Sequence, residues 1–368
     1  MTKTYRVGII GRTGKGNYGH GLDTVWAEIA NVEVVAVADD NEAGRADAAK
    51  RTRAKQAYAD YREMLDKEKL DIVAVAPRWL DCHRDMVVEA AEHGCHMFME
   101  KPMCRTLAEA DEMVETCERH HVKLAIAHQT RYSPRLDRVR ELIAEGRIGD
   151  VLELRGRGKE DSRAGGEDMM VLGTHIMDLI RFLAGDPKWR FARVLQGGKP
   201  VSMAEVRQGT EGIGPLAGDS ITAMYGLSGT TTAYFATVKP QQGPGGRFGL
   251  QVFGSKGVID LMTGGLPPVM LLEDPAWAPG RSKKEWVPIT SEGVGKPEPL
   301  KDGGLPMGNR FIVQDLIQAI EQDRQPRGSV YDGRAALEMI LATYESHRVG
   351  GAVALPLKLR QHPLTLLA

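Results

Sequence analysis

Short apolar runs rich in β-branched residues alternate with amphipathic stretches through the opening third of the chain. Arg6-Val7-Gly8-Ile9-Ile10, Val34 to Ala38, Ile72 to Ala76, His96 to Met99 and Val122 to Ala127 predict strands. The stretches near Leu22 to Ala30, Asn41 to Arg53, Met86 to Glu92 and Leu107 to Arg119 predict helices. Uninterrupted apolar strands separated by amphipathic helices mean a parallel sheet covered on both faces, with right-handed crossovers.

Beyond residue 127 the pattern changes. Pro134 to Glu145 predicts a helix stopped by Gly146, and Val151 to Arg157 then alternates as a half-buried strand does. Ile221 to Tyr225, Thr230 to Val238, Leu250 to Phe253 and Val258 to Leu261 predict further strands with few helices between them. That describes an α+β domain with an antiparallel or mixed sheet. Residues 264–306 are rich in Pro and Gly without clear periodicity, which predicts a long functional or mobile loop. Helices return from Asn309 to Gln322 and Gly333 to Arg348, with a last strand near Val353 to Leu357. The fold class is α/β, a doubly wound parallel sheet followed by an α+β domain, with domains at 1–127 and 128–368.

Composition narrows the partners. A chain of 368 residues exceeds what one core usually organises, so two domains are the default. A net charge of -1 argues against nucleic acid or an anionic membrane. No apolar run approaches the ~20 residues that span a bilayer. The segment Met1 to Arg6 leads straight into a strand and carries no secretory signal pattern. Cys82, Cys95, Cys104 and Cys117 have no close-pair metal spacing and read as reduced thiols in a cytoplasmic protein. No His, Cys and carboxylate grouping has zinc spacing, so no metal is expected.

The chemistry begins after the first strand. Gly11 to His20 contains Gly14-Lys15-Gly16-Asn17-Tyr18-Gly19, a literal G-x-G-x-x-G between a predicted strand and a predicted helix. It starts three residues after Gly11, where the motif normally begins. Either the loop carries an insertion, or Gly11 opens a degenerate motif with Thr13 in the second place. Such a loop lets backbone approach a pyrophosphate, and the helix N-terminus offers it N–H donors. Asp39 ends the second strand and Asp40 follows. A carboxylate there accepts from the adenosine ribose and repels a 2′-phosphate, which favours NAD over NADP, although Arg45 is close in sequence.

Two residues stand out for proton transfer. Lys101, in Met99-Glu100-Lys101-Pro102, lies at the carboxyl end of a predicted sheet strand, where open α/β sheets bind ligands. Glu100 could pair with it or orient ribose hydroxyls, and Pro102 restricts its backbone. His175 lies in the apolar run Met169 to Leu183, predicted as one helix with Val171, His175 and Asp178 on one face. It is either a satisfied core histidine or a base oriented by Asp178. Trp277 and Trp286, in the 264–306 segment, either pack there or stack on a sugar ring.

These residues together resemble the glucose-fructose oxidoreductase and inositol dehydrogenase family (Gfo/Idh/MocA). The resemblance rests on Gly11 to Gly19, Asp39, Tyr58-Ala59-Asp60-Tyr61, Ala76-Pro77, Glu100-Lys101-Pro102, Gln129-Thr130-Arg131-Tyr132-Ser133-Pro134, Gly173-Thr174-His175-Ile176-Met177-Asp178, Gly254-Ser255-Lys256-Gly257 and Tyr331-Asp332-Gly333. It implies an N-terminal Rossmann domain for NAD and a C-terminal domain whose large open sheet often forms an oligomer interface, hence a homodimer or homotetramer. It implies hydride transfer at a secondary alcohol of a sugar, inositol or related polyol. Lys101 and His175 match the family's catalytic residues. Arg131, Tyr132, Glu160 and Asp178 fall on the implied substrate side. Gly11, Thr13, Gly14, Gly16, Asn17, Tyr18, Gly19, Asp39, Asp40, Ala76, Pro77, Arg78, His83, Glu100, Lys101 and Gln129 fall on the implied cofactor side.

The chain departs from that pattern twice. Arg78 stands where many members have Asn after the proline. Val171 stands four residues before His175, where many members carry an aspartate. Valine cannot take a proton, so the relay is shorter or another carboxylate serves: Glu160, Asp161, Glu167, Asp168 or Asp178. Two rival readings follow. One is a glycosidase or lyase that recycles NAD through a transient keto-sugar; the other is a non-enzymatic ligand or redox sensor on the same scaffold.

Overall fold

A computed structural model describes residues 3–239 and 246–367. Met1 and Thr2, at the head of the segment expected to run straight into the first strand, lie outside them. The chain forms two compact units, residues 1–129 with 209–214 and 305–334, and residues 130–208 with 215–304 and 335–368. The first unit thus reclaims two later segments that an uninterrupted 1–127 domain leaves out. Burial explains the larger return: helix Leu305–Glu321 buries Met307, Ile312, Val313, Leu316 and Ala319, packing on the last two strands of the first sheet.

That sheet is six-stranded and all parallel: β1 Tyr5–Ile10, β2 Val32–Ala38, β3 Gln56–Tyr58, β4 Ile72–Val75, β5 His96–Met99 and β6 Leu124–Ile126. Its order, β3-β2-β1-β4-β5-β6, reverses direction at β1 and β4. Ligands of open α/β sheets bind outside the carboxyl ends at such a switch point. Helices α1 Glu42–Thr52, α2 Tyr61–Lys67, α3 His83–Glu92 and α4 Leu107–Arg119 connect the strands. Three of them start where a side chain meets free amides: Asn41 accepts from Gly44 N–H, Asp60 from Arg62 N–H and Thr106 from Glu109 N–H.

The helix expected from Leu22 to Ala30 does not form. The segment is a series of turns ending in one 3-10 turn, Val25–Glu28. Gly19 and Gly21 adopt left-handed φ values of 61° and 82°, which end any helical start. Trp26 is buried with its indole N–H on the Leu22 carbonyl and its ring edge-on to Phe98, so tertiary packing sets the local path.

The second unit carries an eleven-stranded sheet, antiparallel except where Val151–Arg157 pairs with Thr232–Val238. The strand Trp189–Gln196, absent from the sequence expectation, lies within it. The segment 264–306 is not a structureless loop. Val269–Leu272, Val287–Thr290 and Gly293–Val294 extend one edge of the sheet, and Pro279–Ser282 adds a helical turn. Its prolines and glycines interrupt short strands whose apolar residues, such as Val269 and Leu271, are buried. Trp189–Gln196 alternates exposed and buried positions, leaving Trp189 and Phe191 on an open face, where the strand Thr232–Val238 also shows Tyr234. Among the described residues no helix is long and apolar enough to cross a membrane.

Candidate functional site

Gly11 follows β1 directly, its N–H on the Ala38 carbonyl at the end of β2. The chain then turns back on itself. Arg12 and Asn17 exchange backbone hydrogen bonds of 3.0 and 2.9 Å around Thr13-Gly14-Lys15-Gly16. The loop is therefore a small hairpin whose turn holds Gly14 and Gly16. Two glycines serve close protein packing. A Cβ on Gly16 would meet the Arg78 backbone at 2.4 Å, and one on Gly19 would meet the Ala76 carbonyl at 2.6 Å and Glu100 Cγ at 2.7 Å. No α-helix follows the loop, only turns and the 3-10 turn Val25–Glu28, so the expected helix N-terminus is absent here.

Asp39 is the brace of this loop. Both oxygens accept from Thr13 N–H at 3.1 Å, one also from Thr13 Oγ1 at 2.7 Å, the other from Asn41 N–H at 3.0 Å. Thr13 reaches it because Gly44 has no side chain; a Cβ there would sit 1.9 Å from Thr13 Oγ1. Arg45 donates to the Asp39 carbonyl at 2.7 Å, which fixes its guanidinium on backbone. Beside this brace lies a cavity of about 460 Å³, lined by Gly11, Arg12, Asp39, Asp40, Asp60, Tyr61, Arg62, Asp81, Cys82, Asp85 and Met86 among others. Its position at the ends of β1 and β2 suits an adenosine ribose. Five aspartates on its wall disfavour a 2′-phosphate. Arg12 is held by Asp81 at 2.8 Å, and burial pushes the Cys82 thiol up to about 11, so that sulfur stays protonated.

At the carboxyl end of β5, Glu100 is wholly buried and Lys101 is 6% exposed. One Glu100 oxygen accepts from the His20 N–H at 3.1 Å and forms a close ion pair with the His20 ring. The other accepts from the Lys101 N–H at 2.7 Å. Burial by itself would raise this carboxyl, but the hydrogen bond and charge of His20, with those of Lys101, hold it below the usual carboxylate range. Behind it, Asn309 donates to the His20 carbonyl at 2.9 Å and accepts from Gln129 at 2.9 Å. Sequence reasoning missed His20 and Asn309. His20 directly follows the G-x-G-x-x-G, which is a readable signal; Asn309 comes from a distant segment, and no local pattern marks it.

After β4, Ala76 and Pro77 are buried and Arg78 pairs with Glu211 at 3.3 Å, a partner that the returning segment 209–214 supplies. The expectation for His83 needs correction. It opens α3 fully buried, with Nδ1 3.1 Å from the Pro102 and Met103 carbonyls and Nε2 2.7 Å from the Pro77 carbonyl. Both ring nitrogens are spent on backbone, so the ring has nothing to offer a dinucleotide directly. Tyr18 is likewise buried, its ring filling the space over Gly11 and its other face under the Arg51 guanidinium at 4.4 Å.

In the second unit, the expected single helix breaks at Leu172 into Gly166–Val171 and Gly173–Ala184. Gly173 lies against the Phe235 ring, which a Cβ would meet at 3.0 Å. Val171 and His175 therefore stand on different helices, while His175 and Asp178 share one. Within residues 171–180 His175 alone is half-buried while the others are buried, and its ring lies edge-on to Phe248 at 6.0 Å. Asp178 holds Arg131 through both oxygens, at 2.7 to 3.0 Å, in a pair 1% and 6% exposed at its side chains. Tyr132 is buried beside it in sequence.

The remaining candidate carboxylates are also engaged. Glu160, at φ 57°, pairs with Arg157 and Arg247 and accepts from Val238 N–H. Asp161 pairs with Arg163, and Glu167 lies 4.0 Å from Arg207. Asp168 accepts from the Lys159 and Glu160 amides and from Thr237 Oγ1, and burial raises its carboxyl in spite of them. Trp277 packs edge-on to Phe253 at 5.0 Å and donates to the Gly254 carbonyl, while Trp286 stays 36% exposed.

Two family models match the chain. One, described as an oxidoreductase family with an NAD-binding Rossmann fold, covers residues 5–128; the other, a GFO/IDH/MocA C-terminal domain, covers 136–260. The chain is 25% identical to levoglucosan dehydrogenase of Pseudarthrobacter phenanthrenivorans over 248 residues, which are 61% of this chain and 63% of that protein. It is 34% identical to D-apiose dehydrogenase of Paraburkholderia graminis over 175 residues, 44% of this chain and 45% of that one. These matches thus span less than two thirds of either relative. The fold is similar to that of levoglucosan dehydrogenase solved with NADH and levoglucosan, at a TM-score of 0.77 and 20% identity over 96% of this chain and all of that one. With both of its regions matched in order, the chain belongs to the GFO/IDH/MocA oxidoreductase family and carries its NAD-binding Rossmann domain.

Proposed function

We propose that this chain is an NAD-dependent oxidoreductase that moves hydride between the nicotinamide and a secondary alcohol of a sugar, inositol or related polyol. The observation that carries the reading is Lys101, buried at the carboxyl end of β5 on a Glu100 clamped by His20. NAD, when bound, supplies the hydride acceptor or donor. Loop amides from Gly11 to Gly19 hold its pyrophosphate, and Asp40, exposed on the cavity wall beside the committed Asp39, meets the adenosine ribose. Lys101 and His175 take and return the hydroxyl proton. The open apolar face around Phe191 and Tyr234 supports assembly into a homodimer or homotetramer.

The test is NAD reduction by the purified chain across a panel of sugars and polyols, beside Lys101→Ala and His175→Ala. Turnover that both substitutions abolish supports the reading; silence across the panel with NAD bound refutes simple dehydrogenation. Val171 favours a second reading, NAD-recycling cleavage of a glycoside through a transient keto-sugar, because the usual carboxylate is absent and its five potential replacements are engaged. That chemistry would release a product from a glycoside without net NADH.

A further inference from the structure

A dinucleotide loop ordinarily meets its pyrophosphate with free loop amides and the positive N-terminus of the next helix, equivalent to about half a unit charge. Here the first is depleted and the second is missing. Turns and the 3-10 turn Val25–Glu28 stand where the helix would be. The hairpin spends most of its own amides on protein. Gly11 donates to the Ala38 carbonyl, Arg12 to that of Asn17, Lys15 and Asn17 to that of Arg12, and Gly19 to that of Gly16. Thr13 N–H is on the Asp39 carboxylate and Gly14 N–H on Asn17 Oδ1. From Gly11 to Gly19, the amides of Gly16 and Tyr18 alone have no acceptor among the described residues. These neutral donors do little against both negative charges of a pyrophosphate, so a cationic side chain has to complete the site.

Most cations near the loop are committed elsewhere. Arg12 is held by Asp81, Arg45 donates to the Asp39 carbonyl, and Arg51 pairs with Asp23 while covering the Tyr18 ring. Lys15 stands exposed at the hairpin tip, with nothing to fix it. Arg78 differs from all of these. Its N–H faces the Gly16 carbonyl at 3.4 Å, and its backbone lies so close that a Cβ on Gly16 would meet Arg78 N at 2.4 Å. Its side chain is 41% exposed, and its pairing with Glu211, at 3.3 Å, is longer than a good charged hydrogen bond. A guanidinium carries five N–H donors in a planar fork, so one loose carboxylate leaves it donors for phosphate oxygens. Glu211 is itself fixed. Its φ is 53°, its carbonyl accepts from Leu80 N–H at 3.0 Å, and a Cβ on the next residue, Gly212, would meet the Asp81 side chain at 3.0 Å.

We propose that Arg78, kept beside the hairpin by Glu211 of the returning segment 209–214, binds the pyrophosphate of NAD. It supplies the charge that a helix N-terminus supplies elsewhere, and in a bidentate geometry suited to phosphate. The asparagine that many relatives carry at this position has no charge to offer. The inference needs NAD binding alone and not the reaction proposed above.

The probes are NAD and ADP-ribose, which keeps the pyrophosphate and lacks the nicotinamide. Calorimetry on the native full-length chain, Arg78→Ala, Arg78→Lys and Lys15→Met gives their dissociation constants. Arg78→Ala is expected to bind both ligands about tenfold to hundredfold more weakly, as the loss of a charged hydrogen-bonding partner implies. Arg78→Lys keeps the charge without the fork and should fall between, while Lys15→Met should stay within about twofold of native. An Arg78→Ala chain within about twofold of native, or a loss that follows Lys15 instead, overturns the assignment. A second measurement needs no variant. In the native chain labelled with 15N in arginine, the Arg78 Nε–H signal is expected to shift as ADP-ribose is added; a signal that stays in place overturns the assignment even if every Arg78 variant fails to fold. ADP-ribose cannot take part in hydride transfer, so failure here is separable from failure of the proposed activity.

Discussion

Replacing Glu100 by glutamine should cost the first unit about 2–3 kcal/mol at neutral pH. The carboxylate accepts from the His20 amide, the His20 ring and the Lys101 amide. Glutamine keeps the shape but exchanges one accepting oxygen for an NH2 group. Whichever end the nitrogen takes, at least one buried N–H then faces another donor, which costs about 1–3 kcal/mol. Loss of the charge opposite His20 adds a smaller share, discounted because that ring is 31% exposed. Urea titrations followed by circular dichroism and tryptophan emission give the difference, with the buried Trp26 reporting on this unit. The pH dependence has a definite sign. The Glu100 carboxyl is held below its ordinary range in the folded chain, so its contribution is complete above the unfolded glutamate value of about 4.3. It is lost as pH falls through the lower folded value. The gap between native and variant should therefore hold from neutral pH to about 5 and close only on the acid side. A gap below about 0.5 kcal/mol, or one that persists unchanged into acid, would refute the clamp.

Other substitutions probe the same construction. Gly19→Ala should lose about 2–4 kcal/mol in thermal or urea unfolding, because φ is 61° and the new methyl meets the Ala76 carbonyl at 2.6 Å. Thr13→Val removes the 2.7 Å bond to Asp39 and should lower stability by about 1 kcal/mol and weaken NAD binding in calorimetry, whereas Thr13→Ser should retain both. Asp178→Asn strips a buried guanidinium of its counter-charge and should cost about 3–5 kcal/mol; the double change Arg131→Met with Asp178→Leu should recover much of that in the same unfolding assay.

Much of the first unit was legible because its signals are local. Apolar runs, β-branched in β1, β2 and β4, gave those strands and β5 to within two residues, and Leu107–Arg119 matches its helix end for end. Asn41 and Thr106 mark their helix starts by side-chain chemistry that acts within three residues. The expectation failed where distant contacts outweigh local pattern. Leu22 to Ala30 has helical spacing but follows the anchoring of Trp26 and two left-handed glycines. The 264–306 segment looked irregular because its strands are too short for a period to emerge, and they persist by pairing at a sheet edge.

By itself the sequence determined a parallel nucleotide-binding sheet and a second α+β domain, and it put forward Lys101, His175 and the aspartates that follow β2 as candidate groups. These follow from residue type and spacing, which act over a turn or a strand. Only the tertiary structure decided how those groups are spent. It engaged Asp39 as the brace of the loop after β1, gave Arg78 the partner Glu211, set Asp178 on Arg131, and placed His20 and Asn309 behind Glu100. Each of these is a hydrogen bond or ion pair between residues far apart in the chain. Its energy depends on burial and alignment, and neither exists until the sheet and its returning segments have packed.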